Sequence, residues 1–365
     1  MTHRFYPRAA FVLGVGLSWA LGGFAAQAAD FSAEYVFGDS LSDNGNVAEL
    51  ENVLNFEKTG SFFGNFPDPP SFHDSFTNGP VAVQLLAQSL RLNLNPSLWV
   101  TGFKDPAGLF GGLAFVPGTN YAVAGATSAD ANAGTPGINL PEQVAAYSAF
   151  VSDHADPNAI YVIMIGGNDV RNVALAPNPG TGAAAIAGGA NTEVAEITTL
   201  ADEGAKHFLV VNVPNVGLIP EFAEDDPSRA GFATQLSQLY DTDLAHGLAG
   251  LDLGAGATLT DFNLYNFNES ILANAKTLGF TNTTDPCFSN TPGSAASSTG
   301  CSLANIDSFV YWDDIHPTAR VQAMWAAGFE AAVPESSTWA MLLLGFAGLG
   351  YAGYRHGARA RAAAA

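Results

Sequence analysis

Basic side chains are scarce: 13 Lys and Arg stand against 34 Asp and Glu in 365 residues, a formal net charge of −21. Phosphate backbones are held by cationic side chains that release counterions, so this balance excludes a nucleic-acid partner. Anionic lipid headgroups are disfavoured on the same ground, which leaves a neutral substrate as the expectation. Cysteine is scarcer still, with only Cys287 and Cys301, and neither has a His or a second Cys pair at ligand spacing, which excludes a zinc site. The body also lacks a Pro- or Ser-rich linker and any internal repeat. It therefore reads as one large domain over 29–332, a span of chain that can close around a single core.

Both ends of the chain read as addresses rather than fold. The N-terminus carries His3, Arg4 and Arg8, then an apolar run, then Ala26-Gln27-Ala28. That is the layout of a secretory signal peptide over 1–28, the alternative being an uncleaved anchor. At the other end, over 333–365, Val333-Pro334-Glu335-Ser336 precedes an apolar run at 339–354 and a tail with Arg355, Arg359 and Arg361. The apolar run is slightly short of the roughly 20 residues that span a bilayer comfortably. Basic residues after it would stay in the cytoplasm, placing the body outside the inner membrane. The tail resembles the PEP-CTERM sorting signal of Gram-negative bacteria, although Ser336 stands where a second Pro is usual. The resemblance implies processing by an exosortase and a final place in the periplasm, at the cell surface or in the extracellular matrix. A plain anchor that is never cut is the alternative. In an exported compartment Cys287 and Cys301 are expected to form a disulfide, worth about 3 kcal/mol for a loop of about 15 residues. Two buried thiols remain the other reading.

Along the body, apolar runs of strand length alternate with turns and helical stretches, the pattern of a parallel α/β sheet. The spacing predicts strands at 34–37, 120–123, 159–165, 208–213 and 258–262. It predicts helices at 81–90, 140–152, 191–205, 229–248, 265–278 and 319–332. Segments 54–80 and 178–191 read as long loops. In such sheets ligands bind beyond the carboxyl ends of the strands, so the residues that follow them are the place to look for chemistry.

Four polar clusters lie there: Gly38-Asp39-Ser40-Leu41-Ser42-Asp43-Asn44-Gly45-Asn46, Asn120 to Thr127, Gly166-Gly167-Asn168-Asp169, and Asp313-Asp314-Ile315-His316-Pro317-Thr318. Each is weak alone. Ser is a common N-cap, and Gly is common turn chemistry. Together they supply what acyl transfer requires: a nucleophile in Ser40, a base in His316, an orienting acid in Asp313, and oxyanion donors in the amides of Ser40 and Gly125 and the side chain of Asn168. Two other patterns fail. The run after Asp39 is no calcium loop, because Leu41 and Leu50 occupy ligand positions. The sequence around Ser40 is no nucleophile elbow either, because Ser42 replaces its second Gly. His73, His154, His207 and His246 have no motif context.

On these four blocks, GDSLSDNGN, NYAVAGAT, GGND and DDIHPT in that order, the chain resembles the GDSL family of the SGNH hydrolase superfamily from about Tyr35 to Thr318. The resemblance implies a three-layer α/β/α sandwich with a flavodoxin-like parallel sheet, no cofactor, and hydrolysis of esters through an acyl-enzyme. It assigns Ser40, Asp313 and His316 to the triad and Ser40, Gly125 and Asn168 to the oxyanion hole. Asp313 is preferred to its neighbour Asp314 by spacing. Lipid acyl esters and carbohydrate O-acetyl groups both remain open as substrates. The Phe-rich stretch around Phe62, Phe63, Phe66, Phe72 and Phe76 reads either as an acyl groove or as a satellite core under a loop. A surface or matrix protein that kept the fold without the activity is the rival reading.

Overall fold

The computed structural model describes residues 31–48, 71–97, 118–129, 138–177, 180, 182–288 and 300–333, all within one compact unit, Asp30–Pro334. The expected signal peptide, the expected membrane segment at 339–354, and Phe62, Phe63 and Phe66 lie outside the described residues. Among the described residues no helix is long and apolar enough to cross a membrane.

Four parallel strands, β1 (Glu34–Gly38), β2 (Ile160–Met164), β3 (His207–Val211) and β4 (Thr258–Phe262), pair in the order β1-β2-β3-β4. Every residue of β2 is buried, as are Phe208 to Val211 of β3. Runs such as Ile160-Tyr161-Val162-Ile163-Met164 lack polar alternation because helices cover both faces. The expected strand at 120–123 is an extended segment rather than a full ladder. It lies along the free edge of β1 through Val36 N–H to Thr119 O at 3.0 Å, Tyr121 N–H to Val36 O at 2.7 Å and Val123 N–H to Gly38 O at 3.1 Å. With it counted, the spatial order is the flavodoxin-like 2-1-3-4-5 of doubly wound sheets.

The helices form two groups. In the first, α2 (Leu140–Val151), α3 (Gly167–Leu175), α4 (Gly182–Asp202) and α5 (Pro227–Ala249) pack on one another; in the second, α1 (Ala82–Ser89) packs on α7 (Ala319–Ala332), which also touches β4. A further helix, α6 (Leu264–Ala273), follows β4, and a small parallel pair, β5 (Asn282–Pro286) with β6 (Phe309–Tyr311), precedes α7. The result is the three-layer α/β/α sandwich.

One expected loop is overturned. From Gly182 onward, the segment read as a loop to Asn191 is the first part of α4. Its Ala183-Ala184-Ala185-Ile186-Ala187 run favours helix, and Gly182, Ile186, Gly189, Ala190, Glu193, Ile197 and Leu200 form one buried stripe at helical spacing. The expected helix at 265–278 also stops early, because residues 274–279 form turns after α6.

The interior holds several carboxyl groups. The Tyr240 hydroxyl donates to Glu193 Oε2 at 2.7 Å and contacts Ser128 Oγ, while the Ser128 amide donates to Asp169 Oδ2 at 2.8 Å. Burial pushes Asp169 up to about 7, partly offset by the Ser128 bonds, and Asp241 up to about 8 despite a bond from the Val213 amide. Glu34, with neither oxygen partnered among the described residues, and Glu193 are raised well above the usual range by burial. A carboxyl raised in the folded state binds its proton more tightly there than in the unfolded chain, so stability falls as pH climbs from the ordinary carboxyl range through these values. The melting temperature is therefore expected to decline steadily from pH 5 to pH 8.5, and Glu193→Gln to flatten the decline; a thermal scan across that range in which stability rises would contradict this electrostatic account.

Candidate active site

The chain leaves β1 at Gly38, where a Cβ would stand 2.4 Å from the Met164 carbonyl oxygen, so only glycine lets β1 and β2 stay paired to their ends. Gln143 of α2 completes that end: it accepts from the Gly38 amide and donates to the Gly38 carbonyl, each at 2.8 Å. Ser40 follows at once, on a tight turn in which the Ser42 and Asp43 amides return to Asp39 O at 3.1 and 3.0 Å. The hydroxyl is thereby presented at the carboxyl edge of the sheet.

His316 reaches it from the far end of the chain. Its Nε2 lies 2.7 Å from Ser40 Oγ, and its Nδ1 lies 2.8 Å from Asp313 Oδ2. Asp313 and His316 occupy the turn between β6 and α7, closed by Trp312 N–H to His316 O at 2.8 Å and anchored by Thr318 N–H to Val310 O at 2.9 Å. Asp313 Oδ1 also accepts the amides of Ile315 and His316, at 2.9 and 2.6 Å. Burial alone would raise the Asp313 carboxyl, but the His316 charge and these hydrogen bonds hold it below the usual range. An ionised carboxylate only accepts, so Nδ1 carries a proton and Nε2 is the nitrogen turned to the Ser40 hydroxyl. Asp314 takes no part in this contact; its carbonyl accepts from the Glu221 amide at 2.9 Å.

The other two blocks converge through a residue that sequence reasoning did not single out. Asp43 is fully buried and accepts four backbone amides: Gly45 and Asn46 on Oδ1 at 2.8 and 2.7 Å, Val47 and Ala124 on Oδ2 at 3.0 and 2.8 Å. Its pKa is pushed up to about 6 by burial and held there against a larger rise by those donors. Asn120 adds a second tie, donating to Ser42 O at 2.8 Å and Asn44 Oδ1 at 2.7 Å. Asn168, at the start of α3, donates to Ala126 O at 2.9 Å. Gly125 thus sits between one neighbour tied to the serine loop and another tied to Asn168. Its φ of +83° is a left-handed conformation that favours glycine, and the residue is exposed. Neither the Ser40 nor the Gly125 amide has an acceptor among the described residues.

A cavity of about 50 Å³ opens beside Ser40 and Asn168 and runs across the carboxyl ends of the sheet towards Val216, Ile219 and Ile315. Arg171, which also lines it, forks onto Glu221 with two side-chain hydrogen bonds. Phe76 does not line it. Its ring lies 4.9 Å from that of His316, and it packs on a satellite cluster of Cys287, Cys301, Ile306, Phe309 and Trp312. The cysteines of that cluster are joined as a disulfide. His73, His154, His207 and His246 all lie away from this cavity.

A parallel three-layer sandwich with a Ser–His–Asp array at its carboxyl edge defines an SGNH-type hydrolase fold. The family model for GDSL-like lipase/acylhydrolase matches residues 35–329, and the chain belongs to that family. It is 33% identical over 198 residues to Lipase 1 of Photorhabdus luminescens, covering 54% of this chain and 24% of that protein. It is 24% identical over 298 residues to the thermolabile hemolysin of Vibrio parahaemolyticus, covering 77% of this chain and 59% of that protein. With a GDSL esterase/lipase of Arabidopsis thaliana it shares 24% identity over 335 residues, 85% of this chain and 91% of the plant protein. The chain therefore spans about a quarter of the first relative and about three fifths of the second.

Asparagine has one accepting oxygen where Asp43 has two, so Asp43→Asn would set an amide group against backbone N–H donors. The cost expected for such unmatched buried groups is about 1–3 kcal/mol. Urea denaturation should show that loss, and turnover should fall with it because the Ser40 turn and Ala124 would no longer share an anchor; a variant as stable and active as the parent would remove Asp43 from its organising place.

Proposed function

We propose that the protein hydrolyses neutral carboxylic esters through an acyl-enzyme, with Ser40 as nucleophile, His316 as general base and acid, and Asp313 as the group that orients and charges the imidazole. The observation that carries this reading is the 2.7 Å contact between Ser40 Oγ and His316 Nε2, with Nδ1 of the same ring on Asp313. As Oγ attacks the acyl carbon its proton passes to Nε2, and the imidazolium that forms is stabilised by the carboxylate beside it. The imidazolium then protonates the departing alcohol. Water, deprotonated by the same nitrogen, releases the acid and regenerates Ser40. The tetrahedral oxyanion would be met by the Ser40 and Gly125 amides and by the Asn168 side chain, whose second N–H takes no acceptor among the described residues. One such donor typically lowers the barrier by about 2.7 to 4 kcal/mol. The lipase, hemolysin and esterase names of the relatives support the reaction class, and the charge of −21 supports a neutral substrate.

The same proposal places the domain outside the inner membrane, held there by the C-terminal segment until an exosortase-type enzyme removes it. The disulfide supports export, since such bonds persist in oxidising compartments. Fractionation of the native host with antibody to the domain tests this: recovery of the domain, in reduced form, from the cytoplasm alone would refute it.

Ser40→Ala is expected to lower kcat on p-nitrophenyl acetate by about 10⁴-fold or more with folding intact, and Asn168→Ala by about 10²- to 10³-fold. A fluorophosphonate probe should label the parent at Ser40 and leave Ser40→Ala unlabelled. Undiminished turnover in Ser40→Ala, or labelling at another serine, would overturn the assignment.

A further inference from the structure

Two parts of the site arrive from distant stretches of chain: Asn168 on the first turn of α3, and the base His316 on the turn between β6 and α7. A single residue, Glu221, bonds to both of these supports. Its carboxylate takes a forked pair of bonds from Arg171 Nε and Nη2, and its backbone N–H donates to Asp314 O at 2.9 Å. Arg171 stands three residues after Asn168, so the two share one face of α3, and both line the cavity beside Ser40. Asp314 lies inside the catalytic turn, between Asp313 and His316.

Glu221 is itself well fixed. Its neighbour Phe222 is fully buried. It opens a π-helical turn, Glu221–Asp225, in which Asp226 N–H returns five residues to Glu221 O at 3.0 Å. Such turns are rare and frequently fall at functional sites. Just before it, Leu218 O accepts from the Tyr311 hydroxyl at 2.9 Å, a second tie to the strand that leads into the catalytic turn. A forked guanidinium–carboxylate contact fixes orientation as well as distance, because its two parallel bonds lie in one plane. With side chains 28% and 21% exposed, the pair escapes much of the screening that weakens surface contacts.

From this arrangement we propose that Glu221 is a positioning residue for ester hydrolysis: it holds α3, and with it the Asn168 side chain, at a set distance from the turn that carries His316. The inference rests on the hydrolase reading of Ser40 and adds to it a residue that does not line the cavity. Asp43 joins the serine loop to the turn of Gly125, and Glu221 joins the turn of the base to the helix of Asn168. The oxyanion exists only once the acyl carbon has been attacked, so a displaced Asn168 weakens the transition state and leaves binding of the intact ester alone.

In the full-length protein, Glu221→Gln removes the charge and one accepting oxygen while keeping the backbone N–H on Asp314, so it isolates the part played by the carboxylate. On p-nitrophenyl acetate it is expected to lower kcat about tenfold, as a small misplacement of a catalytic group does, and to leave KM within about twofold. The same substitution made in Asn168→Ala should cost less than about twofold, because no donor is left to place. Thermal melting checks folding, and Arg171→Lys, which keeps the charge but loses the fork, takes its place in both backgrounds if Glu221→Gln does not fold. Unchanged kcat in the folded variant overturns the inference. So does a rise in KM alone, which marks binding of the ground state, and so does an equal loss with and without Asn168, the result expected of a residue that only stabilises the fold. In each of those cases ester hydrolysis at Ser40 still stands. A fully active Ser40→Ala protein, or no turnover by the parent, overturns the hydrolase reading itself and this inference with it.

Discussion

The Asp43 carboxylate is the knot that holds the nucleophile loop to its neighbours. Its oxygens take the amides of Gly45, Asn46 and Val47 from the serine loop and that of Ala124 from the turn carrying Gly125. Burying a charge without partners is prohibitive, and four donors are what make it tolerable here. The same donors fix the geometry, because each amide must aim at one of two oxygens about a single carbon. From that anchor the order propagates: Ala126 receives Asn168, and β1 leads straight into Ser40. The parallel sheet supplies the common edge on which all of this is assembled, and the carboxylate sets the register of the loops above it.

Most of the framework was legible in the sequence because it follows from short-range rules. The all-apolar runs of β2 and β3 announced strands covered on both faces, and the order of the four polar blocks announced which strand ends mattered. The triad was legible for a different reason: Ser40 and His316 are residue types whose reactivity is local, and three-residue spacing lets Asp313 close a turn onto His316. What escaped was long-range. Nothing near Asp43 in sequence reveals that Ala124 will donate to it, and nothing in Asn268 or Trp325 marks them as lining the same cavity as Ser40. The beginning of α4 was misread because Gly182, Gly188 and Gly189 looked like loop residues, whereas the tight packing of Gly189, whose Cβ would stand 2.8 Å from Asp169 Oδ1, requires the missing side chain inside a helix.

The acids of the interior divide by their partners. Asp313 faces a histidine and two amides and is kept ionised, so the imidazole has a fixed tautomer. Asp39, one residue before the nucleophile, is pushed up to about 6 by burial, with the Leu41 amide and the His316 charge opposing the rise. Asp169, behind the oxyanion residue, meets a serine and lies near Tyr240 and Glu193 and is raised further. The protein thus keeps its most strongly held carboxylate where positive charge develops, while burial raises the neighbouring carboxyls above their ordinary range.

The base is held by a structure separate from the main sheet, and that separation explains the crowding around it. Strand β6 is three residues long; it pairs with β5 and bridges Tyr311 to Pro317 across the turn, a short frame for the residues between. That frame is supported on three sides. Val310 and Tyr311 sink into the main core, α7 packs on α1, with Gln322 accepting from the Ala82 amide at 2.9 Å, and the disulfide cluster packs under Trp312. The amides of Cys287 and Phe288 also extend the β5 pairing past Tyr311 to Trp312 O, the residue immediately before Asp313. The cross-link thus anchors the strand pairing whose last backbone bond falls on the residue before Asp313, at the entrance to the turn that carries His316.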